Sequence, residues 1–158
     1  MDKGIVMIHQ ELNVLLDMEV SENIFLGREI KKKGILSRVD MDEQRKQAQA
    51  FLDSVGIKID AKDLMRNLSV AQMQLIEIVK AISVHAKVII MDEPTSAITE
   101  AEAAILFEQI EKLKKAGVLI IYISHKMDEI FKISDKIAVL RDGHLIRVDE
   151  TKTLQRKI

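Results

Sequence analysis

The stretch Val88-Ile-Ile-Met-Asp-Glu-Pro-Thr-Ser96 decides the fold. Four apolar residues, three of them β-branched, stop abruptly at two acids and at Pro94, the only proline in the chain, which cannot donate to a ladder and so ends a strand. Downstream, Thr99 and Glu102 stand three residues apart as a reciprocal helix cap. Leu106, Phe107, Ile110 and Leu113 follow at helical spacing, and Lys114, Lys115 and Gly117 mark the helix end. A second apolar run, Val118 to Ile123, reads as another buried strand. A strand-helix-strand crossover makes the two strands parallel and brings their carboxyl ends, Asp92-Glu93 and Ser124-His125, to one edge of a sheet. Further on, Ile137 to Arg141 and His144 to Val148 alternate around Asp142-Gly143, a strong hairpin signal.

Upstream of Ala86 the texture is mostly helical. A short strand at Ile5 to Ile8 runs into a loop at His9-Gln10-Glu11. Asp40 with Glu43 caps a helix carrying Ala48, Phe51, Leu52 and Val55, ended by Gly56. Ser69 with Gln72 makes another capping box, and Val70, Met73, Ile76, Val79 and Ile82 continue it as an amphipathic helix.

Composition narrows the function classes. Over 158 residues, 24 Lys and Arg against 25 Asp and Glu leave a formal net charge of −1, without the basic surplus that phosphate-backbone binding uses. Nucleic acid is therefore not an expected partner, and aromatics at 3% argue against a base-stacking platform. With 47% hydrophobic and 31% charged residues the chain can bury one core beneath a solvated surface. The absence of cysteine excludes disulfides and thiolate metal sites, and the four histidines stand singly. The run from Val118 to Ile123 falls far short of the roughly 20 residues that span a bilayer.

Ligands of open parallel sheets sit beyond the strands' carboxyl ends, so Asp92, Glu93 and His125 face one crevice. Asp92 is a candidate Mg²⁺ ligand, Glu93 a candidate base for an attacking water, and His125 a candidate donor to charge developing on a transferred phosphoryl group. Equally, Asp92-Glu93-Pro94 reads as a polar strand end and His125 as a helix-start residue. The Ser69 box is a cap first, yet a helix N-terminus with a free hydroxyl also suits a phosphate. Gln10 reads either as a surface loop residue or as a polar sensor near a metal.

Together these segments resemble one family. Gly4-Ile-Val-Met-Ile-His-Gln-Glu-Leu-Asn13, Ser21-Glu-Asn-Ile-Phe-Leu-Gly-Arg-Glu29, Leu68-Ser-Val-Ala-Gln-Met-Gln-Leu-Ile-Glu77, the Val88 to Ser96 stretch and Tyr122-Ile-Ser-His-Lys-Met-Asp-Glu-Ile130 are similar, in order, to the ATP-binding-cassette (ABC) ATPases of bacterial monosaccharide importers. The likeness is greatest to the first cassette of galactose/methyl-galactoside or ribose importers. The resemblance implies an α/β fold: a RecA-like P-loop NTPase core with a helical subdomain. It implies that Gln10 is the Q-loop glutamine, placed with Asp92 at Mg²⁺, and that Ser69, Val70, Ala71 and Gln72 belong to the signature motif that touches ATP. Asp92 would be the Walker B aspartate, Glu93 the catalytic glutamate and His125 the switch histidine. Ser96, Ala97, Ile98 and Thr99 would form the D-loop. The implied partners are a membrane permease and a second ATP-binding cassette, and the implied location is cytoplasmic, peripheral on the inner face of the cell membrane.

The resemblance divides the chain into residues 1–12, the Q-loop strand and loop; 13–85, the helical subdomain with the signature; and 86–158, the core with Walker B, D-loop, H-loop and a terminal β-hairpin. Three departures qualify it. The signature reads Ser69-Val-Ala-Gln72 rather than Ser-Gly-Gly-Gln, and Thr99 replaces the D-loop aspartate. No Gly-x-x-x-x-Gly-Lys-Ser/Thr occurs around any of the six glycines. A cassette lacking the P-loop strand and helix is thus expected, with one flank of the strands at Val88 to Met91 and Val118 to Ile123 uncovered. The isolated chain is expected to turn over ATP weakly or not at all. The alternative is a non-catalytic remnant that acts only as an interaction module.

Overall fold

A short parallel sheet organises the protein, whose computed structural model describes residues 4–32 and 38–155. Strands β1 (Ile5–Ile8), β2 (Val88–Asp92) and β3 (Leu119–Ile123) lie in the order β1-β2-β3, all parallel. Helix α4 (Glu100–Lys115) makes the crossover from β2 to β3. Thr99 caps it by accepting from Glu102 N, while the Glu102 carboxylate takes Thr99 N at 2.9 Å. Gly117, at φ +87, turns the chain from this helix into β3 in a conformation costly for any residue with a Cβ.

The first half supplies α1 (Val20–Ile24), α2 (Met41–Ser54) and α3 (Val70–Ser83). Asp40 caps α2 through Glu43 N, and Ser69 caps α3 through Gln72 N, both at the positions the sequence indicates. Ile24, Leu52, Ile76, Ile89, Met91, Leu106 and Ile110 merge into one core spanning helices and sheet. Val70 departs from the expected apolar face of α3. It sits in the first turn and is exposed, while Ala71, Leu75, Ile78 and Ala81 take the buried positions, so the core-facing surface of α3 is broader and rotated from the expected stripe.

The parallel register sorts the sheet into two faces. Val6, Ile89 and Ile120 form one row, and Ile8, Met91 and Tyr122 the next, all turned to the core of α3 and α4. The alternate rows, Ile5–Val88–Leu119 and Met7–Ile90–Ile121, occupy the opposite face with Asp92 and Ile123. Along β1 and β3 this second face is open: Leu119 is 55% exposed and Ile121 45%. Continuous apolar runs ordinarily mark strands covered on both sides, so the exposure is a feature of this chain and not of strand composition.

Past β3, helix α5 (Met127–Ile133) leads to the antiparallel pair β4 (Lys136–Arg141) and β5 (His144–Glu150), followed by a short α6 (Thr151–Gln155). Asp142 and Gly143, at φ +50 and +78, form the two-residue turn that suits the twist of the hairpin. The pair is a separate two-stranded sheet. Between β3 and β4 runs a trough of about 890 Å³, lined by Ile120, Tyr122, Ile133, Ile137 and Leu140 among others.

Candidate functional site

The chemistry-bearing side chains converge where β1, β2 and β3 end. Because Asp92 pairs in register with Ile123, the residues just beyond each strand emerge side by side. Glu93 N donates to Ile123 O at 2.9 Å, continuing the ladder by one bond while the Glu93 backbone swings to φ +44. A side-chain-bearing residue in that left-handed region costs about 1–3 kcal/mol and persists only where its surroundings impose it. Here the imposed turn directs the Glu93 carboxylate at His125, whose Nδ1 lies 2.9 Å from Glu93 Oε1. Gln10, two residues past β1, donates from Nε2 to Glu93 Oε2 at 3.5 Å. Three segments that are distant in sequence thus meet on one carboxylate.

Glu93 is partly covered, with 29% side-chain exposure against 73% for His125. With Glu93 ionised, the short contact requires the imidazole proton on Nδ1. Asp92 ends β2 on the open face of the sheet and is half-buried. Among the described residues no three His, Asp or Glu side chains gather as a metal cage. With the Glu93 carboxylate engaged by His125 and Gln10, Asp92 and the side-chain carbonyl oxygen of Gln10 are the remaining hard oxygen donors of this group. One or two protein oxygens are what a Mg²⁺ ion needs when phosphates and water complete its octahedron, so the donor set fits that ion.

The Ser69 to Gln72 segment forms a second group, with no hydrogen bond or ion pair to Gln10, Asp92, Glu93 or His125 among the described residues. Ser69 N donates to Gln72 Oε1 at 2.8 Å, and Ser69 Oγ reaches Glu102 Oε1 at 3.5 Å. The N-terminus of α3 therefore stands beside that of α4, with Thr99 and the Glu102 carboxylate between them. Bonds from Thr99 N and Oγ1 hold that carboxyl below the usual carboxylate range. Of Ser96, Ala97, Ile98 and Thr99, which run from the Glu93 turn to the α4 cap beside Ser69, Ser96 N donates to Glu93 O at 3.1 Å and Ile98 packs on the core.

Sequence reasoning did not find Thr95, Tyr122, Lys126 and Glu129. Thr95 is 2% exposed, and its Oγ1 donates to Glu129 Oε2 at 2.7 Å. Glu129 three residues past Lys126 was the available signal, since a lysine at the N-cap of α5 and a glutamate three positions on share one end of that helix.

A family model described as ABC transporter matches residues 1–96. The chain belongs to the ABC transporter family. A putative ribose/galactose/methyl galactoside import ATP-binding protein of Rhizobium etli is 58% identical over 149 residues, 92% of this chain and 28% of that protein. A protein of the same description from Halalkalibacterium halodurans is 53% identical over 158 residues, 99% of this chain and 30% of that protein. The ABC chain described here thus spans about 30% of the length of these curated relatives. The ATP-binding cassette MJ0796, solved as a dimer in a post-hydrolysis state with ADP and Pi, superposes with a TM-score of 0.72 at 22% identity. That match covers 93% of this chain and 62% of the other. The α/β architecture is that of an ABC ATPase cassette, and among the described residues no helix is long and apolar enough to cross a membrane.

Proposed function

We propose that this chain is part of an ATP-hydrolysing cassette that powers carbohydrate import through a membrane permease, working on the inner face of the cell membrane and paired with a second cassette. The observation that carries the hydrolytic part is the meeting of Gln10, Glu93 and His125 at the strand ends. The carbohydrate part rests on the likeness, at more than 50% identity, to putative ribose/galactose/methyl galactoside import ATP-binding proteins.

Each residue's role follows from its chemistry. Glu93 accepts the proton of a water attacking the terminal phosphate. Gln10, bonded to the same carboxylate, orients that water, and its side-chain carbonyl oxygen and the Asp92 carboxylate would hold Mg²⁺. When bound, the ion neutralises phosphate charge. A neutral His125 that gives its Nδ1 proton to Glu93 has no proton on Nε2. Donation from Nε2 to a phosphoryl oxygen therefore requires the imidazolium, or release of Glu93, and release would free the base for water. Ser69, with the backbone N–H groups of Val70 and Ala71 and with Gln72 closing the cap, offers the α3 N-terminus to the phosphate of a nucleotide held by the other cassette. Ser96 to Thr99 lie between these two sites and form the link that reports one to the other. Residues 13–85 carry the permease-facing subdomain in this scheme, and residues 1–12 and 86–158 the core.

The test is ATP turnover by these residues joined to a P-loop segment, measured with and without Glu93→Gln. Loss of steady-state hydrolysis with retained nucleotide binding supports the reading. Unchanged hydrolysis in Glu93→Gln overturns it.

A further inference from the structure

The Glu129 carboxylate, on α5, collects bonds from both loops that carry Glu93 and His125. Its Oε2 accepts from Thr95 Oγ1 and from Tyr122 OH, each at 2.7 Å, and its Oε1 lies 3.3 Å from Lys126 Nζ. Lys126 Nζ also donates to Thr95 O at 2.9 Å. Thr95 follows Glu93 by two residues and is buried, and Lys126 follows His125 directly. The bonds therefore lash the Glu93 loop to the His125 loop behind the reactive side chains.

His125 itself is largely exposed, and its hydrogen-bonded side-chain partner among the described residues is Glu93. The placement of the imidazole thus depends on backbone held from elsewhere, and the lashing lies within one or two residues of both members of the pair. Burial alone would raise the Glu129 carboxyl, but the bonds from Thr95, Tyr122 and Lys126 outweigh it and leave it below its ordinary value. It remains an ionised acceptor, and charge-assisted bonds of this kind are the stronger class. Burial pushes the Tyr122 phenol well up, so it remains a donor.

We propose that Glu129 is a positioning residue that sets the contact between Glu93 and His125 by fixing Thr95 and Lys126 around one carboxylate. This inference rests on the catalytic reading of Glu93 and His125 given above, but its test needs no nucleotide.

Long-range ¹H–¹⁵N NMR of the four histidine rings, recorded on the full chain, reads the state of His125 Nδ1. In Glu129→Ala the Nδ1 signal shifts toward the position it takes in Glu93→Ala, while His9, His85 and His144 stay in place. Glu129→Gln keeps a carbonyl oxygen for Thr95 and Tyr122 and returns the signal most of the way. A His125 signal unmoved in Glu129→Ala overturns the proposal, as does an equal displacement of all four rings. If Glu129→Ala does not fold, Thr95→Val removes the hydroxyl at nearly constant shape and carries the same readout, with the same supporting and overturning results. ATP turnover that survives Glu93→Gln would defeat the hydrolytic reading and leave the NMR result standing, so the two failures are distinguishable.

Discussion

His125 Nδ1 stands 2.9 Å from Glu93 Oε1 across 32 residues of sequence. The contact exists because β2 and β3 are parallel neighbours in register through Asp92 and Ile123, so each strand delivers its next residues to the same edge of the sheet. An antiparallel pairing of the same strands would have sent the two side chains to opposite ends of the sheet.

The pair should behave as one unit in catalysis. In the chain joined to a P-loop segment, removing a preorganised group that meets developing charge lowers the rate about 10²–10³-fold. His125→Ala should therefore depress kcat strongly and change ATP affinity little. Phosphate-release kinetics with parallel nucleotide titration check this, and wild-type turnover in His125→Ala would exclude a shared site.

The 158 residues by themselves should show no appreciable turnover, since no stretch among them supplies the lysine and the nest of backbone N–H groups that cradle β- and γ-phosphates. The same assay on the purified chain decides the matter. Hydrolysis by the chain alone that disappears in Glu93→Gln would show that phosphate is held some other way.

The two faces of the sheet should respond unequally to truncation. Ile89 is fully buried, so Ile89→Ala should cost about 2–5 kcal/mol through lost burial and a residual cavity. Ile121, on the open face, should cost about 0.5 kcal/mol or less in Ile121→Ala. Denaturant midpoints of the two variants give the comparison, and equal losses would mean that the outer face is covered in solution.

That open face also predicts self-association. Ile5, Met7, Leu119, Ile121 and Ile123 are all exposed on one side of the sheet, and β3 is an edge strand beside the trough. Light scattering of the purified chain should show mass rising with concentration. A monodisperse monomer with strong amide protection at Ile120 and Ile121 is the contrary result.

A pH signature is expected from Glu19. Arg45 Nε donates to Glu19 Oε2 at 2.8 Å, and this bond lowers the Glu19 carboxyl below its ordinary 4.5. Because the folded value is the depressed one, the stabilisation is fully present above 4.5 and disappears as pH falls through the lowered value. Unfolding curves of wild type and Glu19→Gln should differ at neutral pH and converge in acid. A constant difference across that range would assign the effect to packing instead.

The β2–α4–β3 unit was legible because its signals are local: a β-branched run stopped by a proline, a reciprocal cap, a helical stripe and a glycine exit. Asp92, Glu93 and His125 were legible as candidates because parallel topology alone places strand ends together. Helix α1 was not, since five residues are too few to show a period, and its cap is Glu19 acting with Glu22 rather than a Ser or Thr. Val70 fits the stripe by count, yet Ala71, one residue on, takes the buried position of that first turn and leaves Val70 exposed. The Thr95–Tyr122–Glu129 cluster was invisible for a different reason. Its bonds join residues 34 apart or in separate elements, and a threonine, a tyrosine and a glutamate carry no pattern until the strand and helix are docked.

The left-handed backbone at Glu93 sets two selective pressures against each other. Glycine or asparagine would adopt φ +44 with less strain, so a laboratory lineage chosen only for resistance to heat should drift away from glutamate at position 93. A lineage required to turn over nucleotide should hold it. The residue found at position 93 in a population evolved from this chain would therefore record which demand the population had met.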